Sequence, residues 1–154
     1  MSGSLKDRLQ ADLVAAIRSR NEVQSATLRL ALSAVATEEV AGAQSRQLTD
    51  DEVLALLNRE AKKRREAIAA FTDAGRSDRA AAEQAELDVL TGYLPAPLTP
   101  TELAAIIDTA VAEVTASGVA GGKAMGAVMK RITPQVTGRA DGAAVAALVR
   151  ERLG

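Results

Sequence analysis

Apolar positions in this chain recur every third or fourth residue and nowhere alternate over a useful length, so the pattern predicts helices alone. Leu5, Leu9, Leu13 and Ile17 form one stripe facing a core, behind Ser4 with Asp7 three residues on, the spacing of a capping box. Arg18 and Arg20 follow at the end that suits cations. Asn21 caps a second helix that runs to about Ala41, where Gly42 ends it, and Val23, Leu28, Leu30, Ala31 and Val35 make a broader apolar face.

The third helix has the clearest start. Thr49 caps it, Asp50 and Asp51 suit the positive end of the dipole, Glu52 closes the box, and Leu48 can staple to Val53. Val53, Leu54, Leu57, Ala61, Ile68 and Phe71 fall in one arc of about 100°. Arg64 falls inside that arc, which calls for an inter-helix ion pair, a snorkelling side chain or a functional anchor, with Glu60 one turn earlier as a partner. The surrounding Lys62-Lys63-Arg64-Arg65 spans most of the helix circumference and reads as a solvated surface. Gly75 closes this helix. Ser77 or Asp78 opens a fourth, whose Leu87, Leu90 and Leu94 point one way before Pro95.

Pro95-Ala96-Pro97-Leu98-Thr99-Pro100 is the one convincing break, stiffened by its prolines. Thr99 then caps a fifth helix, with Pro100 at its first position, whose stripe is Leu103, Ile106, Ile107, Ala110, Val111 and Val114 and which Gly118 ends. Met125, Val128, Met129 and Ile132 form the seam of a sixth helix that Pro134 is expected to end. Asp141 caps a seventh, with Val145, Leu148, Val149 and Leu153 on its buried side. The expected fold is therefore all-α: an N-terminal four-helix domain over residues 1–94, a Pro-rich hinge over 95–100 and a small three-helix domain over 101–154.

Composition narrows the chemistry. The chain has no cysteine and no histidine, which removes thiolate nucleophiles, imidazole bases and the commonest zinc ligands. No catalytic residue, metal site or cofactor is expected. Phe71 and Tyr93 are the only aromatic residues, too few for a module that stacks single-stranded bases. No apolar run follows a basic start at the N-terminus and none is long enough to span a bilayer, so the expectation is a cytoplasmic chain without a membrane partner.

Charge is uneven along the chain. Residues 1–94 hold thirteen Lys and Arg against fifteen Asp and Glu; residues 95–118 hold three acids (Glu102, Asp108, Glu113) and no cation; residues 119–154 hold six cations against two acids. Gly121-Gly122-Lys123 is not a phosphate-binding loop, because Ser117 stands where the first glycine is required and Ala124 where Ser or Thr is. Helical phase is more informative. Lys123 and Lys130 lie opposite the apolar seam with Arg131 to one side and the small Gly126 and Ala127 between. That arrangement admits a phosphate backbone, or else a surface helix kept soluble by its cations. Arg139, in the turn before the last helix, suits either a phosphate or the carbonyls of its own turn.

Met125-Gly126-x-Val128-Met129-Lys130, then Pro134-x-Val136-x-Gly138-Arg139-Ala140-Asp141-Gly142, then Val145-x-x-Leu148-Val149-Arg150-Glu151-Arg152-Leu153 resembles the C-terminal motif of the GatB/YqeY family. Leu5-Lys6-Asp7-Arg8-Leu9, Leu48-Thr49-Asp50-Asp51-Glu52, Glu60-Ala61-Lys62-Lys63-Arg64-Arg65-Glu66 and Tyr93-Leu94-Pro95 are similar to stand-alone YqeY proteins, so the resemblance covers nearly the whole chain. It implies a helical N-terminal domain and a tail like that of GatB, the tRNA-binding subunit of a glutamine-dependent amidotransferase. The leading expectation is a non-catalytic module that contacts tRNA or structured RNA weakly through Lys123, Lys130, Arg131 and Arg139, accessory to tRNA-dependent amidation. The alternatives are a helical adaptor docking on an amidotransferase or other translation protein, and participation in carbon–nitrogen ligation with glutamine as amido-N-donor.

Overall fold

A computed structural model describes residues 3–154; Met1 and Ser2, which the expected N-terminal domain includes, lie outside the described residues. Among the described residues there are seven helices and no strand: α1 (Leu5–Arg18), α2 (Glu22–Glu39), α3 (Asp50–Asp73), α4 (Ser77–Thr91), α5 (Pro100–Ala116), α6 (Gly122–Val136) and α7 (Gly142–Leu153). The chain divides into two compact units, Met1–Leu94 with α1 to α4 and Pro95–Gly154 with α5 to α7.

Local chemistry sets the helix starts. Ser4 and Thr49 each form a full capping box, with Asp7 and Glu52, and the side chains of Asn21, Thr99 and Asp141 each accept a first-turn N–H. Gly75 ends α3 in the left-handed region at φ 73, with the Arg76 N–H donating to the Phe71 carbonyl at 2.8 Å. Arg20 makes the same closure for α1 at φ 59, a rare conformation for a residue with a Cβ.

Within the first unit, the core joins Leu9 of α1 to Leu28, Ala31 and Val35 of α2, Val53, Leu56, Leu57 and Ala61 of α3, and Leu87 and Leu90 of α4. Each fully buried leucine there contributes roughly 1.5–3 kcal/mol over its exposed state. Two expected stripes need correcting. Ile17 is 47% exposed and Ala16 takes its place, because three successive steps of four residues drift about 40° each and carry Ile17 off the core side. The expected face of α2 splits in two: Leu28, Ala31 and Val35 are buried, whereas Val23 and Leu30 stand on the solvent side.

Arg64 is an inter-helix ion pair. Its guanidinium, with the side chain 13% exposed, donates to Glu83 at 3.1 Å and to Glu86, both on α4, while Glu60 pairs with Lys63 instead. Two further polar contacts fix the unit's ends. Glu39, buried at the end of α2, accepts from Lys6 Nζ at 2.8 Å and from the Leu48 N–H at 3.1 Å. The Tyr93 hydroxyl donates to Asp12, with Arg8 over the ring at 4.7 Å. Burial, and then that hydrogen bond, push the phenol above its ordinary 10.

The second unit buries Leu103, Ile107, Ala110 and Val114 of α5 against Ala124, Val128, Ile132 and Val136 of α6 and Val145 and Val149 of α7. Met125 and Met129 pack against this core half-buried, and Ala124 lies deeper than either. Pro134 does not end α6. It lies in the last turn and the helix runs on to Val136, since what proline removes there is one donor near the end of the ladder.

Candidate functional site

The four cations expected to meet phosphate all lie in the second unit, and the structure sorts them into two kinds. Lys123 and Lys130 are exposed on the side of α6 opposite its core, about 20° apart in phase and roughly 10 Å apart along the axis. Neither has a carboxylate within ion-pair reach among the described residues. Arg131 and Arg139 are engaged. Arg131 Nη1 donates to Glu113 Oε2 on α5 at 2.7 Å, with both side chains about half exposed.

Arg139 takes the anchoring role. Its Nε donates to the Ala96 carbonyl at 2.9 Å, its Nη2 lies 3.9 Å from Glu102 Oε2, and its own carbonyl accepts from the Leu98 N–H at 2.9 Å. Residues 96–98 of the Pro-rich segment are thereby tied to the turn between α6 and α7.

A simple rule organises these pairings. Helix α5 carries three carboxylates and no cation, and each carboxylate takes one partner: Glu102 faces Arg139, Asp108 accepts from Arg152 Nε at 3.0 Å, and Glu113 accepts from Arg131. What is left over is Lys123, Lys130 and Arg150. Arg150 was not singled out in the sequence, and the signal that finds it is subtractive: it is the cation for which α5 has no acid remaining. It lines an open cavity of about 490 Å³ together with Val119, Ala124, Met125 and Leu153, where α7 ends beside the start of α6.

Two backbone features mark the outer side of α6. Gly121 precedes the helix at φ 68 and no side chain caps it; the Ala124 N–H donates to the Gly121 carbonyl at 3.1 Å, which leaves the Gly122 and Lys123 N–H groups at the helix start. Gly126, exposed and in the helix interior between Lys123 and Lys130, has nothing within 4 Å of where a Cβ would stand. Glycine there costs roughly 1 kcal/mol against alanine without relieving any internal clash. Cations, helix-start amides and a bare backbone can hold an anion at close range.

Residues 6–153 match the family model described as Yqey-like protein. The chain belongs to the YqeY-like family. One relative of this YqeY-like chain is "Altered inheritance of mitochondria protein 41, mitochondrial" from Pyrenophora tritici-repentis, 36% identical over 88 residues. The match covers 56% of this chain and 46% of the relative, so the chain spans about half the length of the curated protein it matches. No helix among the described residues of the YqeY-like chain is long and apolar enough to cross a membrane.

Proposed function

We propose that the second unit is an RNA-contacting module that holds phosphates of tRNA or another structured RNA on the outer side of α6. The observation that carries this reading is the charge balance: α5 occupies three cations and leaves Lys123 and Lys130, with Arg150 at the same end as Lys123, without carboxylate partners. Arg131 joins them when an RNA phosphate displaces Glu113, an exposed pair being cheap to break. Arg139 supports the site by holding the turn, and contacts RNA only secondarily.

In this reading the two compact units are separate domains, four helices and three, joined through residues 95–100. The cytoplasm is the proposed compartment, and the relative's mitochondrial name makes the mitochondrion the alternative that cell fractionation separates. Accessory work in tRNA-dependent amidation draws on the resemblance of the tail to GatB.

Two or three phosphate contacts release few counterions, so affinity is set low, about 10⁻⁴–10⁻⁶ M, with a log–log salt slope of roughly −2 to −3. The test is binding of bulk tRNA to the full chain at low salt. Lys123→Ala/Lys130→Ala is expected to flatten the slope by about two and to weaken binding. An unchanged slope in the double variant removes the site, and no binding at low salt removes the RNA reading.

A further inference from the structure

Helix α2 has two seams, and the core uses one. Leu28, Ala31 and Val35 are buried. On the other side Val23, Leu30 and Thr37 stand seven residues apart, and Ala26, Ser33 and the C-cap Val40 repeat the same interval three residues on. All six are exposed and share an arc of about 100°. That is the a and d spacing of a helix-pairing seam, about five turns long. The Thr37 hydroxyl donates to the Ser33 carbonyl at 2.9 Å, which satisfies its polar atom within the helix.

Isolated exposed apolar residues need no explanation, but these are not isolated. The five large exposed apolar side chains found among the described residues are Val14, Ile17, Val23, Leu30 and Val40, every one on α1, on α2 or at its C-cap and none on α3 to α7. The charge beside the seam has one sign in excess. Arg29 flanks it next to Leu30, Arg18 and Arg20 lie at its Val23 end, and none of the three pairs with a carboxylate among the described residues. The only acid flanking that end is Glu22.

From this placement we propose that the outer seam of α2 docks an acidic amphipathic helix of a partner protein. The apolar row of the partner lies along Val23, Leu30 and Val40, and its flanking carboxylates face Arg29 and the Arg18–Arg20 end. A second copy of this chain is the poorer occupant. In a two-fold interface along α2, residues near the middle of the seam face themselves, which sets Arg29 against its own copy. This surface belongs to the first unit and is independent of the RNA reading.

The experiment uses the full chain and two synthetic peptides of three heptads, both with leucine at the seam positions, one with glutamate and one with lysine at the flanking positions. Fluorescence anisotropy is expected to show the glutamate peptide binding at least about tenfold more tightly than the lysine peptide, with the difference shrinking as salt rises. Val23→Ser/Leu30→Ser, at exposed positions that leave the fold intact by circular dichroism, is expected to lose about tenfold in affinity. Arg29→Glu is expected to narrow or invert the preference. Equal binding of the two peptides, no binding of either, or binding that ignores Val23→Ser/Leu30→Ser overturns the proposal. So does sedimentation showing a dimer that Leu30→Ser dissolves, which assigns the seam to a second copy.

Discussion

The two units differ in whether any of their ion pairs enter the fold. The first has exposed pairs, such as Arg59 with Glu38 and Arg76 with Asp78, but also draws two clusters inward: Arg64 lies between α3 and α4 with Glu83 and Glu86, and Glu39 ties α1 to the segment before α3. In the second, the pairs sit on the surface. Arg131, Arg139 and Arg152 each meet one carboxylate of α5 at the rim, and three cations remain. The difference teaches that an ion pair's role follows its exposure. A half-buried pair is a structural part that is expensive to break, while an exposed pair is a reversible occupant that an external anion can replace.

Removing an arginine from each unit breaks that comparison most directly. Arg64→Ala leaves Glu83 and Glu86 facing each other without a counter-charge and is expected to cost about 3 kcal/mol in urea unfolding. Arg131→Ala is expected to cost about 0.2–1 kcal/mol. Equal costs would erase the distinction.

Gly126→Ala sharpens the functional side. It adds a methyl into open space in a helix interior, so stability is expected to rise by about 0.5–1 kcal/mol. Affinity for tRNA is expected to fall, because the methyl stands where a phosphate would approach. A gain in stability with unchanged RNA affinity would mean that the bare backbone serves no contact.

The smallest expected effect is a pH dependence rooted in the first unit. The Arg46 side chain, and then the Thr49 N–H, hold Glu52 down to about 2; the Lys6 ammonium, and then the Leu48 N–H, lower Glu39 from its ordinary 4.5. Unfolding raises both again, so the unfolded chain binds more protons at acid pH. The stability Glu52 contributes is present above about pH 4.5 and is lost as pH falls towards about 2, and the contribution of Glu39 is lost in the same direction. Amide exchange in the first unit, followed between pH 7 and pH 3, is expected to show this loss, and Glu39→Gln to make it shallower.

Much of the all-helical fold was legible from residues close in sequence. Ser4, Asn21, Thr49, Thr99 and Asp141 cap where their side chains reach an N–H three residues on, a geometry that needs no tertiary partner. The candidate site was legible only halfway. Lys123 and Lys130 follow from helical phase, but the engagement of Arg131 and Arg139 depends on Glu113 and Ala96, 18 and 43 residues away. Arg150 could not be found by pattern, since what marks it is that the acids of α5 are already taken.

By itself, then, the amino-acid order determined the helices, five of their caps, and which stretch carries the excess of cations, because these depend on contacts within a turn or two and on composition; α4 starts behind Arg76 without the side-chain cap expected of Ser77 or Asp78. The tertiary structure decided which apolar positions go inside, Ala16 over Ile17 and Ala31 over Leu30, and which cations stay free. Both outcomes turn on how neighbouring helices are placed around each one, and a helix with two apolar faces carries no local mark saying which will be covered.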